Sequence, residues 1–149
     1  MGWFLFMLCV FITCALAVPY KNWIKFWYSG TIGMVLLYFI DSTLIKLGAF
    51  EFHHNGLLVS GLPLFYLLSC YPGGIVFAHY RPNKEKYKLL YIIIMALLLL
   101  ALELIMSFLG YFTHINWHTL KSVLLNIFGF IVLLRLIEFY ENSRRTYTS

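Results

Sequence analysis

Five apolar runs constrain this chain more than any other feature of its sequence. Their approximate bounds are 2–18, 31–50, 56–79, 89–111 and 118–140. Hydrocarbon offers no hydrogen-bond partners to an exposed backbone, so runs of this kind must form helices, and runs near twenty residues are too long for barrel strands. The sequence therefore predicts an all-α, polytopic transmembrane helical bundle of five spans, with residues 1–149 forming a single domain.

The composition supports a lipid environment. Hydrophobic residues make up 62% of the chain, charged residues only 11%, and the mean hydropathy is +0.82. A soluble domain is about one quarter charged, so these few charges cannot cover a surface in water. A soluble enzyme, a nucleic-acid-binding protein and a disordered chain are all excluded. The predicted partners are membrane lipids, with no nucleic acid.

The net charge of +5 is distributed unevenly between the two sides of the predicted membrane. With the N-terminus outside, eight cations fall in the inner segments: Lys21, Lys25, Arg81, Lys84, Lys86, Lys88, Arg144 and Arg145. Only Lys46 and Lys121 fall at the outer ends. Cytoplasmic loops carry the excess of Lys and Arg, so the sequence predicts an outside N-terminus and an inside C-terminus.

Proline and glycine predict irregular backbone in two places. Residues 19–30 interleave aromatic residues with lysines, which suits a short helix in the cytoplasmic headgroup layer. Pro63 is expected to kink the third span, and the Pro72-Gly73-Gly74 sequence is expected to break or bend it.

Two acids inside the predicted spans are the leading functional candidates. Asp41 lies in the second span and Glu103 in the fourth. At 1.5 Å per residue they lie roughly 15 Å and 20 Å from the inner ends of their helices, hence at similar depth. Ionisable residues inside a membrane are costly, usually face the protein interior and often mark ion or substrate sites.

Polar residues at helical spacing extend this candidate site. Glu103, Ser107, Gly110, Tyr111 and His114 follow one such spacing, and a second stripe lies on the fifth span: His118, Ser122, Asn126 and Gly129. Two facing stripes predict a cavity that opens outward, with Asp41 near its floor. The alternative is that these groups hydrogen-bond to one another and only hold the bundle together. The predicted substrate- or ion-binding residues are Asp41, Glu103, Ser107, His118, Ser122 and Asn126.

Four histidines fall on the predicted outer side. His53 and His54 lie in one loop, and His114 and His118 have the i, i+4 spacing that places two imidazoles on one metal ion if the segment is helical. Histidines in loops usually bind no metal, so they are candidates only. No cofactor and no catalytic residue are predicted, because the chain has no nucleophile motif, zinc-protease motif or phosphate loop.

The placement of single residues resembles a family of small multi-helix membrane proteins from endospore-forming Gram-positive bacteria. The matching positions are Trp23, Asp41, Gly48, Pro72, Tyr80, Glu103, Trp117 and Arg135. The chain departs from that pattern at residues 51–54, where a Tyr-Pro pair is expected. The resemblance implies a bacterial cytoplasmic membrane and the importance of the two acids. It implies no reaction.

Three functional hypotheses remain open at this level. The favoured one is binding or translocation of a small solute, ion or lipid headgroup at Asp41 and Glu103. The second is a non-catalytic subunit or assembly factor that docks another membrane protein. As partners besides lipids, either a further copy of the chain or another membrane protein is considered. The third is a metal-dependent membrane enzyme at the outer face, although the sequence favours a role without catalysis.

Overall fold

The computed structural model describes residues 2–53, 57–115 and 118–148 of the chain, with side chains up to residue 144. It is 78% helical. The helices are α1 (Gly2–Ala17), α2 (Tyr20–Lys25), α3 (Trp27–Lys46), α4 (Leu64–His79), α5 (Glu85–Phe108) and α6 (Thr119–Thr148). Four short strands lie between them: β1 (Phe50–Phe52), β2 (Leu58–Val59), β3 (Leu62–Pro63) and β4 (Phe112–His114).

Three helices are long and apolar enough to cross a membrane: α3, α5 and the Thr119–Arg144 part of α6. Helices α1 and α4 are also apolar but shorter, at 16 residues each. In α5 only 17% of the most apolar stretch is buried within the protein. A helix that is apolar all round and largely uncovered by protein is suited to lipid.

Helix packing places α4 against both α1 and α3, and α6 against both α3 and α5. Gly74 allows the close approach of α4 to α3, because a Cβ atom there would lie 2.5 Å from the Ser29 carbonyl oxygen. Small residues at such crossings let helix backbones come together where no hydrophobic driving force operates.

The two ends of the bundle differ in structure. At one end, called here the strand end (residues 48–63 and 109–115), β1 pairs antiparallel with β4 and β2 with β3. The other, called here the cation end (residues 18–28, 79–91 and 135–144), contains α2 and the loop between α4 and α5. Its segments meet through side chains: Tyr80 Oη donates to the Ala17 carbonyl at 2.8 Å, and Asn22 and His79 are joined at 3.1 Å.

A separate apolar cluster fills each end. Trp3, Phe52, Leu62 and Phe112 belong to the strand-end cluster. At the cation end, Phe77, Ile92 and Ile137 are packed with Tyr28 and Leu134. Asp41 and Glu103 lie beside the strand-end cluster, several of whose residues line the same cavity.

Several sequence predictions need correction. The third predicted span, 56–79, has a helix only from Leu64, because β2 and β3 occupy its start. Pro63 precedes α4 instead of kinking it, since its fixed φ suits the residue before a helix. The Pro72-Gly73-Gly74 sequence does not break α4, which continues to His79.

The other helix bounds shift by a few residues. The second and fourth spans begin earlier than predicted, at Trp27 and Glu85, and end earlier, at Lys46 and Phe108. The fifth continues past residue 140 to Thr148. The predicted short helix after the first span is present as α2.

Candidate functional site

Asp41 and Glu103 reach the same place because their helices are matched in position. Asp41 lies five residues before the end of α3, and Glu103 lies five residues before the end of α5. Both helices run toward the strand end, so the two carboxyl groups lie at equal depth, roughly 8 Å below it at 1.5 Å per residue. Both line one cavity of about 50 Å³.

The carboxyl group of Asp41 is held by a tyrosine that the sequence did not single out. Tyr66 Oη donates a hydrogen bond to Asp41 Oδ2 at 3.0 Å. Tyr66 lies in the first turn of α4, next to the strand end, and Asp41 is only 9% exposed. No spacing rule links residues 41 and 66, so only the packing of α3 against α4 could reveal the pair.

The carboxyl group of Glu103 accepts a hydrogen bond from a side chain of α6. Asn126 Nδ2 donates to Glu103 Oε1 at 3.0 Å, while Oε2 is buried without a hydrogen-bond partner among the described residues. Ser122, one turn from Asn126 on α6, also lines the cavity. An unpartnered buried oxygen costs free energy, so it leaves a position where a donor from a ligand would be stabilised.

Neither acid has an ion-pair partner within residues 2–53, 57–115 and 118–144. The ion pairs of these residues lie at the cation end, where Arg81 contacts Glu141 at 2.8 Å and Lys88 contacts Glu85 and Glu138. Arg135 and Glu138, three residues apart on α6, form a further ion pair at 3.2 Å. Arg81, Lys88 and Arg135 therefore neutralise carboxylates other than Asp41 and Glu103.

Aromatic rings form half of the remaining wall of the cavity. They come from α1 (Trp3 and Phe6), β1 (Phe50 and Phe52) and β4 (Phe112). Ring centroids of Trp3 lie 5.4 Å from Phe52 and 5.3 Å from Tyr66. Trp3 is 1% exposed, and its Nε1 has no hydrogen-bond partner among the described residues. The faces of such rings attract cations.

Two of the predicted site residues do not line this cavity. Ser107 is near the end of α5, and its carbonyl accepts from the Gly110 amide. His118 is exposed ahead of α6. The stripe predicted from Glu103 to His114 is wrong beyond Phe108, because α5 ends there and residues 110–114 turn into β4.

The histidines are not arranged as the i, i+4 spacing requires. His114 is in β4, so it shares no helix with His118, and its Nε2 lies 3.3 Å from Ser122 Oγ. His53 contacts Thr113 at 2.8 Å, and His54 lies outside the described residues. Within the described ranges no group of three or more His, Cys, Asp or Glu side chains is placed to hold a metal ion.

His114, in β4 at the strand end, is linked to the site through Ser122. Partial burial in β4 removes water from the imidazole and lowers the pKa of His114 below its ordinary value of 6.5. The side chain is therefore mostly neutral at pH 7 and able to exchange a hydrogen bond with the Ser122 hydroxyl.

The fold and site define a helical protein with three membrane-length apolar helices and a buried pair of acids. Comparison of the chain with protein-family models, curated proteins and solved structures finds no match. Any functional assignment therefore depends on the geometry described above.

Proposed function

We propose that this protein binds a small cation or a proton, and passes it across a membrane, through the site formed by Asp41 and Glu103. The observation that carries this proposal is the shared cavity of two carboxyl groups without a described ion-pair partner. Maintaining an uncompensated acid in a buried place is expensive. A purely structural role would be served as well by neutral amides.

The size of the cavity limits what enters it. A volume of about 50 Å³ has room for roughly three water molecules. A sugar, a nucleotide or a whole phospholipid headgroup is too large. An inorganic monovalent cation, a proton carried by water or a single ammonium group fits, and the aromatic wall favours positive charge.

The membrane arrangement is part of the proposal. All five of the longer helices, α1, α3, α4, α5 and α6, cross the bilayer, with the N-terminus outside and the C-terminus inside. Support comes from the cation end, where the segments carrying Lys21, Arg81 and Lys88 contact one another and α6. That end would face the cytoplasm, where basic residues accumulate. A bacterial cytoplasmic membrane follows from the family resemblance of Trp23, Asp41, Glu103 and the other matched positions.

Shorter helices α1 and α4 can take part in this arrangement because they do not cross alone. Each has 16 residues, about 24 Å at 1.5 Å per residue. At the strand end, Phe52 of β1 packs its ring against Trp3 of α1 and Tyr66 of α4. Aromatic side chains of this kind are enriched at membrane interfaces.

The test is cation binding and flux in reconstituted vesicles. Purified protein is placed in vesicles of defined lipid, and binding of methylammonium and uptake of protons are measured for Asp41→Asn and Glu103→Gln. Each variant is expected to weaken binding about tenfold or more, because a charged hydrogen bond is lost. Circular dichroism and gel filtration check that both variants fold.

Glu51→Gln is the matched control. Glu51 is an exposed carboxyl on β1 and does not line the cavity, so its loss should leave binding and flux unchanged. If Asp41→Asn and Glu103→Gln both behave like Glu51→Gln, the proposal is overturned.

A further inference from the structure

A second and much larger space adjoins the site. A groove of about 730 Å³ lies between α1, α3 and α4 on one side and α5 and α6 on the other. Its walls are almost entirely apolar: Val10 and Cys14 of α1, Leu36 and Ile40 of α3, and Met95 and Leu98 of α5 contribute to them. A groove of this volume is the size of a typical ligand site.

The groove and the polar cavity meet at Asp41. Asp41 and Asn126 line both spaces, as does the ring of Phe6. From Asp41 the groove follows α3 back to Gly33, a distance of about 12 Å at 1.5 Å per residue. One continuous space therefore has a small acidic end and a long apolar end.

Glycines keep the apolar end open. Gly73 of α4 lines the groove, and a Cβ atom added there would meet no heavy atom within 4 Å. Gly33 and Gly129 line it from α3 and α6. Larger side chains at these positions would fill the space.

We infer that the ligand is a single-chain cationic amphiphile, whose ammonium group binds at Asp41 and Glu103 and whose hydrocarbon chain lies in the groove. This inference rests on the proposed cation site and names the class of its ligand. Several observations select this occupant: two carboxyl groups without a described ion-pair partner, rings that attract an ammonium group, and an apolar channel that begins at one of those carboxyl groups, Asp41.

A transmembrane helix from another protein fits the groove poorly. With a diameter of about 10 Å, a helix would fill 730 Å³ within roughly two turns of its length. It would also place no positive group in the small cavity. A hydrocarbon chain is thinner and can follow the groove from Leu36 to Asp41.

The experiment is photolabelling in vesicles of phosphatidylcholine with a long-chain alkylammonium that carries a diazirine on its chain. Labelled peptides are mapped by mass spectrometry. The expected sites are groove residues of α1, α3 and α5. Gly73→Phe should reduce labelling about tenfold by filling the groove, and Asp41→Asn should reduce it to a similar extent by removing the ammonium partner.

Ala15→Phe is the matched control, because Ala15 is exposed on α1 and does not line the groove. It adds the same ring on the outside, so labelling should not change. A diazirine alcohol of the same chain length should label the wild-type groove about tenfold less than the ammonium.

Three outcomes would overturn the inference. In the first, the Gly73→Phe and Ala15→Phe variants are photolabelled to the same extent. In the second, the alcohol labels as well as the ammonium and Asp41→Asn has no effect, which would make the groove a site for any apolar chain. In the third, excess phosphatidylethanolamine in the vesicles abolishes labelling, which would assign the site to a two-chain lipid.

Failure of the amphiphile inference can be distinguished experimentally from failure of the proposed cation site. Methylammonium has no chain and should bind Gly73→Phe as well as the wild type. If methylammonium binding survives in Gly73→Phe and is lost in Asp41→Asn while photolabelling gives a negative result, the amphiphile is wrong and the cation site stands.

Discussion

The two ends of this bundle treat carboxyl groups in opposite ways. At the cation end, Glu138 and Glu141 are each held by a cation, Lys88 and Arg81 respectively, and Tyr28 Oη also donates to Glu141 at 2.6 Å. Toward the strand end, Asp41 and Glu103 receive hydrogen bonds from neutral groups only, within the described residues. In the first arrangement, the charge of each carboxylate is already balanced by a cation. The second leaves two carboxyl groups available to a ligand.

The difference indicates which carboxyl groups are candidates for a functional site. A paired carboxylate stabilises its surroundings, and removing its cation leaves a buried charge. An unpaired buried acid makes folding harder, so its presence is explained best by what it binds. Three predictions test this contrast, from the largest expected change in stability to the smallest.

Arg81→Met should cause the largest loss of stability. Arg81 is 17% exposed and Glu141 22% exposed in their side chains, so the substitution leaves the carboxylate of Glu141 partly buried without its cation. We expect the free energy of unfolding to fall by about 2 kcal/mol, measured by denaturant titration in detergent micelles.

Arg135→Met is the control for that experiment. The side chain of Arg135 is 72% exposed in its pair with Glu138, and exposed pairs contribute little, so the change should stay within about 0.5 kcal/mol. Equal losses for the two variants would contradict the account of the cation end.

Replacing a carboxyl by an amide should act differently at the two ends. Glu138→Gln removes the charge that holds Lys88 and should lower the free energy of unfolding by about 1 kcal/mol. Glu103→Gln removes a buried carboxyl group that has no described ion-pair partner and keeps an oxygen for Asn126, so stability should be unchanged or slightly higher. The same unfolding titration measures both variants. A larger loss of stability in Glu103→Gln than in Glu138→Gln would contradict the proposed difference between the two ends.

The smallest expected effect is a pH dependence at His114. Its pKa in the folded state is below the ordinary value of 6.5, because burial disfavours the imidazolium. The unfolded state therefore binds more protons as the pH falls through that value, and stability falls with it. We expect strand-end stability to decrease on acidification below pH 6.5, and His114→Gln to abolish part of this decrease. A ring titration of His114 by NMR with a midpoint above 6.5 would contradict the prediction.

Part of this structure was predictable from the sequence. Helical character, the short helix α2 and the pair of Arg135 and Glu138 follow from apolar run length and i, i+3 spacing, which are local properties. The similar depth of Asp41 and Glu103 also follows, because a rise of 1.5 Å per residue converts sequence position into depth.

What the sequence did not reveal depends on contacts between distant segments. Tyr66 hydrogen-bonds to Asp41 because α4 begins at Leu64, and that start depends on the pairing of β2 with β3. The strand that carries His114 forms by pairing with Phe50–Phe52, more than fifty residues earlier. Apolar periodicity cannot distinguish this strand from a continuation of α5.

The sequence also did not reveal which aromatic residues line the cavity. Trp3, Phe52 and Phe112 read in the sequence as ordinary membrane residues, and the fold brings their rings together beside the acids. Nothing in their spacing indicates a shared cavity, because they come from α1, β1 and β4.

The most direct test of the central claim is a cross-link between the positions of the two acids. Asp41→Cys and Glu103→Cys are combined in a chain that carries Cys9→Ala, Cys14→Ala and Cys70→Ala, and a short bifunctional maleimide is added to the protein in vesicles. Since both positions line one cavity, efficient linking is expected, whereas Asp41→Cys combined with Glu138→Cys at the cation end should not link. Absence of a link between positions 41 and 103 in folded protein would show that the acids do not share a site, and would contradict the account.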